Sequence, residues 1–191
     1  GDLKALRHML KFLGDNYSFI LTDVAGGNEG NDERLAFLFD TRKVKLSGLA
    51  CELVSPNDDV AGITSGAFNK QFVRTPYAVS FKAGGKTFVL VTLHVLYGRR
   101  AADRIPELKA IAKWLKNWSS DMNAFDQSLI ALGDFNIDRR NDPRYDAFVH
   151  TGLSVPQDLN NAQRTVYDNS TKFYDQLAWF IDDQNRPLIS L

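Results

Sequence analysis

One cysteine, no excess of either charge and no long apolar run mark this 191-residue chain, and each scarcity removes a class of protein. Cys51 cannot close an internal disulfide and has no CxxC or Cys/His spacing around it. It reads as a small hydrophobe on a strand. Lysine plus arginine number 23, as do aspartate plus glutamate, so no overall field draws the chain to nucleic acid or to an anionic membrane. Attraction for a polyanion has to come from a local patch. No stretch approaches the ~18 apolar residues of a membrane helix, so no membrane segment is expected. No signal-peptide pattern opens the chain, whose N-terminus is expected to be missing, and the compartment is left unknown with the cytoplasm favoured. A Gly-rich phosphate loop, an internal repeat, a low-complexity tract and a linker are also missing.

What is present is a chain 44% hydrophobic, long enough to bury a substantial core, with one domain as the default. Leu3, Leu6, Leu10 and Leu13 recur at helical spacing, with Asp2 as expected N-cap and Gly14 as stop. Tyr17–Asp23, Leu35–Asp40 and Val44–Val54 read as strands, the last two separated by the charged turn Asp40–Lys43. Val73–Lys82 and Lys86–Val95 flank Ala83-Gly84-Gly85 and form a hairpin. Pro106 opens a second helix whose apolar stripe is Leu108, Ile111, Leu115 and Trp118, with Lys109, Lys113 and Lys116 outside. Trp114 and Trp118 read as packing residues. Gln127–Leu132 is expected as a strand, Pro143–His150 as a short helix and Phe173–Ile181 as a strand. Many strands with single helices between them predict an α/β fold with largely antiparallel sheets.

The stretch Ile130–Asp138, IALGDFNID, ends a run of strand formers in Asp134 and Asn136, two apart. Alternation along an extended chain places both on one face. Three readings compete: a strand followed by a turn, a calcium loop, and a catalytic strand end. The calcium pattern needs Gly at its sixth position and Glu at its twelfth, where this chain has Arg139 and Tyr145. That reading fails. A catalytic strand end needs partners, and other strands carry polar residues near their ends: Glu33 and Arg34 before LAFLFD, Arg74 before Thr75-Pro76-Tyr77, His94 after FVLVTL, and Asp175 opening DQLAWF. Singly, each has a bland reading as a solvated turn or packed strand-end residue.

Taken in order, NDERLAFLFDTRKV, RTPYAVSF, FVLVTLHVLYG, IALGDFNID and FYDQLAWF resemble the endonuclease/exonuclease/phosphatase superfamily, with its deoxyribonuclease I-like fold. The resemblance runs from Asp2 to about Ile181, and Gly133-Asp134-Phe135-Asn136 is its most specific part. It implies a four-layer α/β sandwich with two mainly antiparallel central sheets, and phosphoester hydrolysis with a divalent metal, Mg2+ or Mn2+. By this resemblance His94 contacts the scissile phosphate and helps proton transfer, and Glu33 orients it. Arg74 lies near the phosphate. Asp134 and Asn136 position the attacking water and the phosphate or metal. Asp175 orients a second histidine. The residue types suit the chemistry, because phosphodiester hydrolysis needs a positioned water, charge stabilisation at phosphorus and a proton for the leaving oxygen.

The resemblance also implies groups that the sequence does not show: a metal-ligating Glu ahead of the first helix and a terminal Ser-Asp-His. Asn31 stands where deoxyribonuclease I has a groove-contacting tyrosine. The expectation is therefore an incomplete domain spanning 1–191, inactive by itself, from a nuclease-like phosphodiesterase acting on a phosphoester, nucleic acid included. Phosphatase and sphingomyelinase activities belong to the same superfamily, and a non-catalytic binding or scaffold module is the alternative of a different class. Arg99 and Arg100 follow His94, and Arg139 and Arg140 follow Asn136. Both pairs are expected to form an arginine rim for substrate phosphates.

Overall fold

The structure is a computed structural model that describes residues 3–24, 32–53, 72–162, 165, 172–182, 184 and 186–188. In chain order the elements are α1 (Lys4–Leu13), β1 (Tyr17–Leu21), β2 (Ala36–Asp40), β3 (Lys45–Glu52), β4 (Tyr77–Ala83) and β5 (Lys86–His94). A 3-10 turn (Ala101–Arg104) runs into α2 (Ile105–Ser120), followed by β6 (Leu129–Asp134), α3 (Pro143–Val149), β7 (Leu153–Ser154), a second 3-10 turn (Gln157–Asn161) and β8 (Asp175–Phe180). Asp2, Asn31, Val54 and the glycines at 26 and 27 lie outside the described residues.

Local chemistry accounts for most of these boundaries. Gly84 and Gly85 both have positive φ, +55° and +85°, which is the two-residue turn that matches strand twist, so Ala83 joins the strand rather than the turn. Pro76 has no N–H to give to a ladder, and β4 begins just after it instead of at Val73. Asp126 accepts the Ser128 N–H at 2.7 Å, a local turn that delays β6 to Leu129. At the other end β6 runs on to Asp134. Helix α1 stops at Gly14 as expected, but its N-terminal position is held by Leu3, whose side chain makes no capping bond.

Two sheets result, mixed with helices: β1–β2, and a six-stranded sheet in the order β3-β4-β5-β6-β8-β7. All neighbouring pairs are antiparallel except β5–β6. One face of the large sheet packs Val89, Val91, Leu93, Leu129 and Ala131 against Leu108, Ile111 and Leu115 of α2 and Phe148 of α3. The other face meets the small sheet through Phe37, Tyr77, Val79 and Phe81. Helix α1 adjoins β1, so the α/β, two-sheet layering expected from the sequence is present. Trp114 and Trp118 pack against the core that α2 covers, as expected of packing residues, with Trp118 at the less buried end of the stripe. Trp118 is half-buried and lies edge-on to Trp114, with ring centroids 4.9 Å apart. Cys51 sits half-buried on β3, where burial pushes its thiol pKa up.

The parallel pair decides where polar strand ends meet. Strand β5 returns through α2 to β6, so both strands finish at one edge, and antiparallel β8 starts there. His94 pairs with Asp134, and Asp134 pairs with Asp175, in one row across three strands.

Candidate active site

Glu33 precedes β2 in the small sheet, Arg74 precedes β4, and His94 ends β5 in the large one. Glu33 Oε2 lies 2.8 Å from His94 Nδ1 and 2.5 Å from Arg74 Nε. A carboxylate only accepts, so the proton of the neutral ring belongs on Nδ1 and leaves Nε2 with a lone pair. Nε2 is 3.8 Å from Asp134 Oδ2, too long for a hydrogen bond but close enough for both atoms to face the same open edge. Arg74 is only 6% exposed and stands behind Glu33. Its contact with Glu33 is an ion pair rather than an aligned hydrogen bond.

Asp134 and Asn136 do not share a strand face, because the strand ends between them. Asn136 takes the left-handed conformation (φ +51°), which asparagine tolerates better than most residues, and is 3% exposed. Its N–H donates to Asp134 Oδ1 at 2.8 Å, and its Nδ2 donates to the Val95 carbonyl at 2.6 Å. The turn reading and the site reading of IALGDFNID therefore describe the same object: the turn uses one Asp134 oxygen and leaves Oδ2 facing His94. Gly133 makes the close approach of the strands achievable. A Cβ there would lie 2.1 Å from the Leu93 carbonyl oxygen, at φ +137°.

The loops after β5 and β6 leave the same edge and carry the four expected arginines. Arg99 and Arg139 are exposed, with no ion pair among the described residues. Arg100 is committed locally, its guanidinium 3.2 Å from Asp103 in the cap of the 3-10 turn. The Arg140 guanidinium lies 5.6 Å from the centre of the Tyr145 ring. Asp175 is exposed at the start of β8, directly opposite Asp134.

Beneath these loops is a polar network that the sequence reading missed. Asp138 receives Arg144 and Lys172, each at 2.5 Å, and Arg104 at 3.2 Å. Burial pushes its carboxyl up, but the Lys172 hydrogen bond and the charges of Arg144, Lys172 and Arg104 outweigh that and hold it below its ordinary value. Tyr174 packs edge-on to Tyr97 at 6.3 Å. Its phenol is pushed up by burial, by its hydrogen bond to Tyr97 and by the Asp138 charge. A signal for Arg104 was available: it stands one turn before Leu108 on the apolar stripe of α2, where a charge is out of place.

For a hard cation, this edge offers an oxygen donor of the right kind in Asp134 Oδ2, while the Asn136 amide is buried against the Val95 carbonyl. Among the described residues no group of three or more His, Cys, Asp or Glu side chains is placed to hold a metal. A single carboxylate oxygen suits a hard cation such as Mg2+ or Mn2+ only as one member of a shell that other oxygens complete.

With two packed sheets and polar strand ends gathered at one edge, the chain shares the fold of solved endonuclease/exonuclease/phosphatase family proteins. A Bacteroides thetaiotaomicron mannosyl-6-phosphatase is similar in structure, with a TM-score of 0.61 and 21% identity, over 92% of this chain and 67% of that one. An endonuclease/exonuclease/phosphatase family protein from the same organism has a TM-score of 0.59 and 20% identity, over 92% of this chain and 64% of that one. By sequence the chain is 26% identical, over 181 residues, to a protein named deoxyribonuclease from Thioalkalivibrio sp. (strain K90mix), covering 92% of this chain. The chain spans 45% of that relative's length. No protein-family model matches the chain. No described helix is long and apolar enough to cross a membrane.

Proposed function

We propose that this chain carries the catalytic edge of a phosphoesterase that hydrolyses phosphodiesters, nucleic acid among them, with water as nucleophile. The observation that carries the reading is the shared Glu33 oxygen: it orients His94 so that Nε2 faces Asp134 Oδ2. The reaction runs as an in-line displacement. Asp134 Oδ2 positions the water and takes its proton as the water oxygen bonds to phosphorus. The bond from phosphorus to the leaving oxygen breaks, and His94, in its charged form, gives that oxygen the Nε2 proton. Glu33 stabilises the imidazolium, and Arg74 holds Glu33 in place. Mg2+ or Mn2+ held in part by Asp134 would neutralise charge on the phosphate oxygens. Exposed Arg99 and Arg139 meet substrate phosphates from the two neighbouring loops.

The names of similar proteins, deoxyribonuclease and mannosyl-6-phosphatase, set the assay. The full-length protein is offered bis-p-nitrophenyl phosphate, DNA, RNA and p-nitrophenyl phosphate with Mg2+ or Mn2+, then after chelation. Diester cleavage that stops on chelation and falls about 10²- to 10⁴-fold in His94→Ala supports the reading. Cleavage of the monoester alone points instead to a phosphatase. Polyanion binding without any hydrolysis supports a non-catalytic module. Wild-type turnover in both His94→Ala and Asp134→Asn removes the proposal.

A further inference from the structure

Arg104 is 4% exposed, and its guanidinium contacts the segments that follow both strands of the parallel pair. Nε donates to the Tyr97 carbonyl at 2.6 Å, beyond β5, and Nη1 donates to the Asn136 carbonyl at 2.7 Å, beyond β6. Nη1 also lies 3.2 Å from Asp138 Oδ2, and the guanidinium carbon is 4.3 Å from the centre of the Tyr97 ring. Only a planar fork can donate in two directions and stack at the same time.

The Asn136 end of this clamp touches the site directly. A non-glycine residue in the left-handed region costs free energy and persists only where its surroundings over-determine it. Here three of the four polar groups of Asn136 are engaged: N–H to Asp134, Nδ2 to Val95 and C=O to Arg104. The first of these bonds holds the Asp134 carboxylate, so the carbonyl's partner influences where Asp134 Oδ2 points. Without Arg104, two carbonyls lose a buried charged donor, while Asp138 keeps Arg144 and Lys172.

We infer that Arg104 is a positioning residue: by tying Tyr97 to Asn136 it sets the orientation of Asp134 relative to His94 without touching substrate. The inference rests on the phosphoesterase reading for its kinetic consequence, but not for its structural one. A lysine supplies the charge without the fork, so Arg104→Lys in the full-length protein is the informative variant. Its kcat on an activated diester is expected to fall about 10- to 100-fold with KM nearly unchanged, as for a misplaced catalytic group. Millimolar guanidinium is expected to restore part of the activity of Arg104→Ala. Leu153→Ala, a buried change on the distant edge strand β7, serves as the stability control and is expected to keep kcat well below its unfolding temperature.

Hydrogen exchange of the Asn136 N–H reads the clamp independently of activity. In Arg104→Lys its protection is expected to drop about tenfold or more while the amides of β4 keep theirs. If the wild type hydrolyses nothing, the phosphoesterase reading fails, and the exchange result still decides for or against the clamp. Wild-type exchange at Asn136 in Arg104→Lys overturns the inference. So does a kcat loss that Leu153→Ala reproduces at equal stability.

Discussion

Glu33 Oε2 and His94 Nδ1, 2.8 Å apart, join the segment ahead of β2 in one sheet to the last residue of β5 in the other. The same oxygen meets the buried guanidinium of Arg74, so one carboxylate both orients an imidazole and neutralises an interior cation. On the proposed function, activity and stability are coupled at this atom.

Glu33→Gln separates the two roles by degree. The amide keeps the shape but loses the charge, so turnover is expected to fall about 10- to 100-fold, less than in His94→Ala. Arg74 is left in the interior without its counter-charge, and unfolding free energy is expected to drop by about 1–3 kcal/mol. Urea denaturation and steady-state kinetics on the same preparation check both. Full stability with full activity would remove Glu33 from the site.

Gly133→Ala tests the strand contact. Its Cβ would fall 2.1 Å from the Leu93 carbonyl oxygen, a backbone atom that cannot rotate away, at a φ of +137° that alanine rarely adopts. Destabilisation of about 3 kcal/mol or more is expected, together with a wider His94 to Asp134 separation. A urea midpoint within error of wild type would contradict the geometry.

Acid should weaken the network under the loops. The Asp138 carboxyl is below its ordinary value when folded, because its cations outweigh the effect of burial, and Asp142 is lowered likewise, Arg144 outweighing burial there. A depressed carboxylate contributes stability above its unfolded value of about 4 and loses it as pH falls through the folded value. The stability gap between wild type and Asp138→Asn is therefore expected to be largest near neutral pH and to shrink below about pH 4. A gap independent of pH between 2.5 and 7 would refute this.

The arginine rim has a salt signature. Arg99 and Arg139 are exposed and leave the same edge. Replacing both by Ala is expected to raise KM for a polyanionic substrate and to lower the log–log salt slope by about one for each arginine that meets a phosphate. An unchanged slope would return both to the status of solvated loop charges. Arg100, tied to Asp103, is expected to contribute less.

Much of this was legible because it is local. The Gly84-Gly85 hairpin and the α2 stripe follow from turn chemistry and helical period, whereas the strand expected from Val73 overlooked the missing N–H of Pro76. The order of the polar strand ends was also readable, since each interrupts an apolar run. Asp138 was passed over because, as part of a failed calcium pattern, it had no partner in view. Its three cations come from α2's leading turn, from α3 and from the segment before β8. Asp134 and Asn136 were placed on one face by assuming that the strand continued, whereas the Asp134 side chain itself ends it by accepting the Asn136 N–H.

By itself the sequence determined which side chains stand at strand ends, because alternation, glycine conformations and helical spacing act over a few residues. The tertiary structure alone decided which ends meet. The parallel β5–β6 pair brings His94 and Asp134 to one edge, and Arg104 finds the Asn136 carbonyl 32 residues away. Such contacts depend on which strands become neighbours when both faces of the large sheet are buried. That is a property of the whole core, and no short stretch of sequence encodes it.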